Sequence, residues 1–106
     1  MSTEMADKQK AICLKYHAEY TPPNEEDKTG FALSTLGILP INGLRHSPQN
    51  GTSGWYIWCG ESYSESADFF VSLHTQHIYD EYPQIGTLLA LPPGFRFLLA
   101  GEHLDI

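Results

Sequence analysis

Trp55-Tyr56-Ile57-Trp58-Cys59 leaves this chain few folds to choose from. Aromatic, β-branched and apolar residues stand in one run between Gly54 and Gly60, a strong strand pattern. Side chains alternate along a strand, so Trp55, Ile57 and Cys59 face one way and Tyr56 and Trp58 the other. Both faces are then largely apolar. Such a strand sits centrally with cover on both sides, or it turns one aromatic face toward a partner. The run closes a longer stretch, Leu39 to Glu61, that holds both Trp residues, one of the two Cys and one of the two Arg.

The remaining elements follow from periodicity and punctuation. Asp7 to Tyr16 holds good helix formers, and Ile12 and Tyr16 share a face at helical spacing. This predicts a short amphipathic helix after a loose tail at residues 1–5. Two prolines and a charge run make Thr21 to Asp27 an exposed loop. Gly30 to Thr35 reads as a short strand, and Ile38 to Ile41 as the start of another extended piece. Asn42-Gly43 is a tight-turn dipeptide, and His46 to Ser53 is a loop by composition. Phe70, Leu73, His74, His77 and Ile78 recur at helical spacing, which predicts a helix from Phe69 to Glu81. Pro83 suits the first turn of a second helix running through Ile85, Leu88 and Leu89. Leu91-Pro92-Pro93-Gly94 ends it. Phe95, Phe97 and Leu99 alternate with Arg96 and Leu98 as a further strand, with His103 to Ile106 as a final edge strand.

These elements predict a single α+β domain over residues 1–106. Its sheet is small and mostly antiparallel or mixed, with a helical pair packed on one face and an N-terminal helix. A chain of 106 residues is long enough for one core.

Thirteen acidic residues against six basic ones give a formal net charge of -7. That argues against nucleic acid and against an anionic membrane as ligands, since both need clustered Lys and Arg. It permits attraction to a basic protein. No apolar run is long enough to span a membrane, and Met1 to Lys10 has no hydrophobic signal core, so the expected location is the cytoplasm. Cys13 and Cys59 make no paired motif and are expected as buried free thiols.

Catalytic and metal patterns are weak. His74, His77 and Glu81 would share one side of the predicted helix, but no Cys cluster or His-Glu-x-x-His motif supports a metal, and none is expected. Arg45-His46 beside a loop can bind an anion and move a proton, yet no nucleophile elbow accompanies them. Arg45 is equally a loop-shaping residue that ties the chain to carboxylates. No phosphate loop or other cofactor motif is present. What remains is Glu61, Tyr63, Glu65, Asp68 and Phe69, an acidic, aromatic-flanked segment directly after the double-Trp strand. Such a run is a solvated face, an acid–base pair, or a protein-binding surface in which aromatics anchor and acids steer.

The order of motifs resembles a bacterial family. Leu39-Pro40-Ile41-Asn42-Gly43-Leu44-Arg45-His46 followed by Gly54 to Glu61 is similar to the immunity protein thirty-three-like group of polymorphic toxin systems. Ala11 to Tyr16 with Ala18-Glu19-Tyr20 and Pro22-Pro23 resembles its opening. Asp68-Phe69-Phe70-Val71 with Leu73-His74 and His77 resembles its middle. Leu91 to Leu98 resembles its end, where Phe95 replaces an expected Trp. The likeness runs from about residue 9 to 105.

The resemblance implies a non-enzymatic protein that binds and neutralises a cognate toxin, and it carries over no catalytic residues. The expected contact surface is Trp58, Glu61, Tyr63, Glu65 and Asp68, directed at a basic toxin, with Arg45 and His46 shaping the neighbouring loop. Two other readings stand beside it. One is a small enzyme or ligand-binding domain with a pocket around Arg45, His46, Trp58 and Glu61. The other is a module that self-associates through the aromatic strand.

Overall fold

The computed structural model describes residues 2–62, 64, 66 and 68–106. Six strands form one sheet: β1 (Lys28–Phe31), β2 (Ile41–Arg45), β3 (Thr52–Cys59), β4 (Val71–His74), β5 (Arg96–Ala100) and β6 (His103–Asp105). Their order across the sheet is β4-β1-β3-β2-β5-β6. β1 and β3 run parallel, and the other four pairings are antiparallel. Three helices accompany the sheet, α1 (Thr3–Lys15), α2 (Thr75–Glu81) and α3 (Pro83–Gly86). The class is α+β with a mixed sheet, a helical pair and an N-terminal helix, as the sequence predicts.

β3 is the central strand. Ser53, Trp55, Ile57 and Cys59 are buried on one face, while Tyr56 is exposed and Trp58 half-buried on the other. The covered face holds the core. Phe31, Trp55, Ile57, Phe97 and Leu99 pack with Met5 and Cys13 of α1, Ile78 and Tyr79 of α2, and Ile85 to Leu91 around α3. β5 obeys its predicted alternation, with Phe97 and Leu99 in the core. Pro83 stands at the first position of α3, where its missing N–H has no helical partner to lose, but the helix ends at Gly86, and Leu88 and Leu89, expected within it, lie in the turns that follow.

Other expectations need correction too. Helix α1 begins at Thr3, because Ser2 caps it by accepting from the Met5 N–H at 3.1 Å. Residues 3–5 are therefore its first turn and not a loose tail, and Met5 is buried. The buried stripe is Met5, Gln9 and Cys13, one residue round from the expected Ile12–Tyr16 face. Gln9 Nε2 donates to the Tyr79 hydroxyl and to the Gly86 carbonyl, while its Oε1 is buried with no hydrogen-bond partner among the described residues. Second, β1 ends at Phe31, and a 3-10 turn occupies Leu33–Thr35, within the stretch expected as strand.

Third, Asn42-Gly43 lies in the middle of β2. The glycine serves close approach there, since a Cβ would sit 2.1 Å from Cε2 of Phe97 on the neighbouring strand. Fourth, the predicted helix over Phe69–Glu81 divides. Val71–His74 pairs with β1 as an edge strand, and only Thr75 onward is helical. The spacing of Phe70, Leu73, His74, His77 and Ile78 suits a helix, but pairing with β1 decides the first part. His74 and His77 therefore do not share a helix.

Arg45 ties the covered side together. Its side chain is 3% exposed. Nε donates to the Ser53 carbonyl at 2.9 Å, and Nη1 to the carbonyls of Thr21, Leu89 and Leu91 at 2.6, 3.4 and 2.8 Å. The guanidinium also lies 5.8 Å from the Trp55 ring centroid. Its hydrogen-bond partners are backbone carbonyls, not the carboxylates expected from sequence. Hydrogen bonds from a charged donor contribute more than neutral ones, and leaving their acceptors buried and unpaired costs about 1–3 kcal/mol each. Arg45→Met is expected to lower unfolding free energy by about 3 kcal/mol or more in urea titration. A loss below about 1 kcal/mol contradicts this assignment.

Candidate functional site

The face of the sheet opposite the helices carries an aromatic stripe. Pairing registers set Tyr56 opposite Leu44 and Gly30, and Trp58 opposite Asn42, all on this side. The Tyr56 ring lies over Gly30, where a Cβ would meet Cδ1 of the ring at 2.9 Å. Phe70 packs edge-on against Tyr56 at 5.1 Å and against Trp58 at 6.4 Å. His46 meets Tyr56 at 5.5 Å, and Phe69 meets Phe70 at 4.9 Å. Edge-to-face pairs at these separations are attractive beyond their area burial. Phe70 thus joins both outward aromatics of β3, a role the sequence reading missed. The Phe69-Phe70 pair directly after Asp68 was its visible signal.

Carboxylates border this stripe. Glu61 and Asp68 are both exposed, the first two residues after β3 and the second just before Phe69-Phe70. Tyr63 and Glu65, the other two residues expected at the contact surface, lie outside the described residues. Between Lys28 and Arg96 the sequence has no basic side chain except Arg45, which is buried, and it has five carboxylates. This part of the chain presents acid without exposed Lys or Arg.

The structure does not gather the alternative pocket. The Arg45 side chain is buried on the helical face, whereas Trp58 lies on the opposite face. His46 does line a groove of about 520 Å³, with Ser47, Gln49, Asn50, Thr52, Gly54 and Tyr56. None of these neighbours is a carboxylate that would hold its imidazole for proton transfer. A second groove of about 310 Å³ on the other side of Tyr56 is lined by Lys28, Gly30, Ser66, Phe70 and Ser72, among others. Among the described residues, no group of three His, Cys, Asp or Glu is placed to hold a metal ion. No described helix is long and apolar enough to cross a membrane.

Both thiols are buried and free. Burial pushes Cys13 and Cys59 up from the ordinary thiol value, with the Thr35 hydroxyl opposing the shift at Cys59. A raised pKa disfavours the nucleophilic thiolate. Burial also raises the Tyr79 phenol, against the hydrogen bond from Gln9. All three groups hold their proton more tightly folded than unfolded. Their contribution to stability is intact below the unfolded values and is lost as pH rises through the raised ones. Urea midpoints are expected to fall steadily above about pH 9. A midpoint that stays level or rises between pH 8 and 10 contradicts the burial of these groups.

Comparison with known proteins returns a family. A model of the Imm33-like domain matches residues 8–106. No curated protein and no solved structure matches the chain.

Proposed function

The chain belongs to the Imm33-like family, and from that premise we propose that it binds a protein toxin and neutralises it by covering the toxin's active site or substrate surface. The single observation that carries this reading is the family match over residues 8–106. The role is stoichiometric binding and calls for no catalysis. Its place is the cytoplasm of the toxin-producing cell.

The contact surface proposed is Trp58, Glu61 and Asp68 at the acidic end of the aromatic stripe, together with Tyr63 and Glu65, which stand between Glu61 and Asp68 in the sequence. Aromatic side chains supply large apolar contact at low entropic cost, and peripheral carboxylates steer a cationic partner during encounter. The net charge of -7 supports a basic toxin. If that toxin is a nuclease, its groove must be cationic to hold phosphates, and carboxylates on this protein occupy it in their place. His46 shapes the end of the stripe through Tyr56, while Arg45 shapes the same loop from the covered side.

Co-expression with the candidate toxin gene tests the role: growth is rescued by the wild-type chain at equal expression. Failure to rescue cells from any toxin encoded beside it contradicts the role. For the surface, Glu61→Ala, Glu65→Ala and Asp68→Ala together are expected to slow association with the rescued toxin about tenfold or more at low salt. They should also flatten the dependence of that rate on ionic strength. An unchanged rate and salt slope, measured by stopped flow, place the contact elsewhere.

A further inference from the structure

An apolar loop stands beside Gly60 and Glu61 at the end of β3. Leu36, Ile38 and Leu39 are 42, 56 and 62% exposed, although a loop in water is expected to be polar. The loop is not slack. Leu36 and Ile38 N–H donate to the carbonyls of Leu33 and Thr35, and Thr35 Oγ1 donates to the Ala32 carbonyl at 2.6 Å. The same hydroxyl accepts from the Cys59 N–H at 2.8 Å. Gly60 N–H donates to the Pro40 carbonyl at 2.7 Å, and Asn42 Nδ2 donates to the Gly60 carbonyl at 2.9 Å. These bonds fasten the loop across the end of β3. Ile38 lies against Gly60, where a Cβ would meet its Cγ2 at 2.9 Å. Glu61 is the next residue.

Apolar side chains held outward by a bonded backbone are already in a binding conformation, so docking need not order them first. We infer that Leu36, Ile38 and Leu39 form an apolar anchor that enters a socket on a basic protein, with Glu61 and Asp68 meeting the cationic rim around it. Charge selects the occupant. The chain from Thr29 to Phe95 presents carboxylates and no exposed Lys or Arg. That repels a second copy of this protein, nucleic acid and an anionic bilayer, and it attracts a cationic protein with apolar side chains between its charges. The inference rests on the immunity reading for the biological partner, and it adds an anchor to that surface.

The probe is a synthetic amphipathic helix of Lys and Leu, compared with a Lys/Ser peptide of equal length and charge. Fluorescence anisotropy should show the Lys/Leu peptide binding about tenfold more tightly, as expected for burying a few methylenes. Ile38→Ser with Leu39→Ser should abolish the preference, leaving the salt-sensitive part of binding intact. Leu14→Ser, at a position 81% exposed on α1, should leave the preference unchanged. Equal affinity for the two peptides, or no binding of either, overturns the anchor. So does a wild-type dimer in sedimentation that the Ile38/Leu39 variant loses, since a second copy then covers the loop.

Rescue separates this inference from the reading beneath it. A double variant that neutralises the toxin as well as wild type removes the anchor and leaves the immunity role standing. A wild-type chain that rescues no toxin removes the role, while the peptides still decide the surface.

Discussion

One guanidinium holds four parts of this fold in register. Arg45 reaches from β2 through the covered side to carbonyls of β3, of the loop after α1 and of the turns after α3. Its backbone takes part too, accepting from Gly94 N–H and donating to the Phe95 carbonyl. A buried cation without carboxylate hydrogen-bond partners is costly unless hydrogen bonds compensate for lost water. Here the carbonyls do so, and burial still lowers the guanidinium's pKa from its ordinary value. Trp55 completes the arrangement: its ring lies beside the guanidinium, and its Nε1 donates to the Leu89 carbonyl at 2.8 Å. Burying that side chain contributes about 4–6 kcal/mol before ordering entropy is subtracted.

This arrangement divides the labour of β3 between its faces. The inward face builds the core, so the outward aromatics are not needed for it. Phe70 gathers Tyr56 and Trp58 from the other side, and the chain between β3 and β4 brings Glu61 and Asp68 to the same end of the sheet. A rigid core beneath a binding surface limits the entropy lost on docking. Membership of the Imm33-like family is the context in which we propose that such a surface meets a protein toxin.

How far the sequence reaches differs from element to element. β3 and β5 were readable because strict alternation marks a strand with one face in a core, and their inward residues are as expected. Asn42-Gly43 misled because the same dipeptide serves a turn and a close crossing, and Phe97, 54 residues further along, decides which. Phe69 to Glu81 misled because residues three and four apart fit a helix while Val71 to His74 had an edge to join in β1. The start of α1 is set by a cap and not by periodicity: Ser2 accepts from the Met5 N–H ahead of the stretch whose spacing reads as helix. Arg45 was recognised as a loop-shaping residue, but its partners are carbonyls scattered through the chain and carry no side-chain signal. Ile38 and Leu39 read as the start of an extended piece, and that they stand exposed in a loop before β2 is a tertiary fact.

If recognition uses the aromatic and acidic end of the sheet, as proposed, binding leaves the Arg45-bound core unchanged. Amide hydrogen exchange of the chain, alone and with its neutralised toxin bound, tests this most directly. Slowed exchange on binding is expected in residues 36–39, 56–61 and 68–71, with α1 and α2 unaltered. Protection confined to α1, α2 and α3, with none at the sheet end, contradicts it.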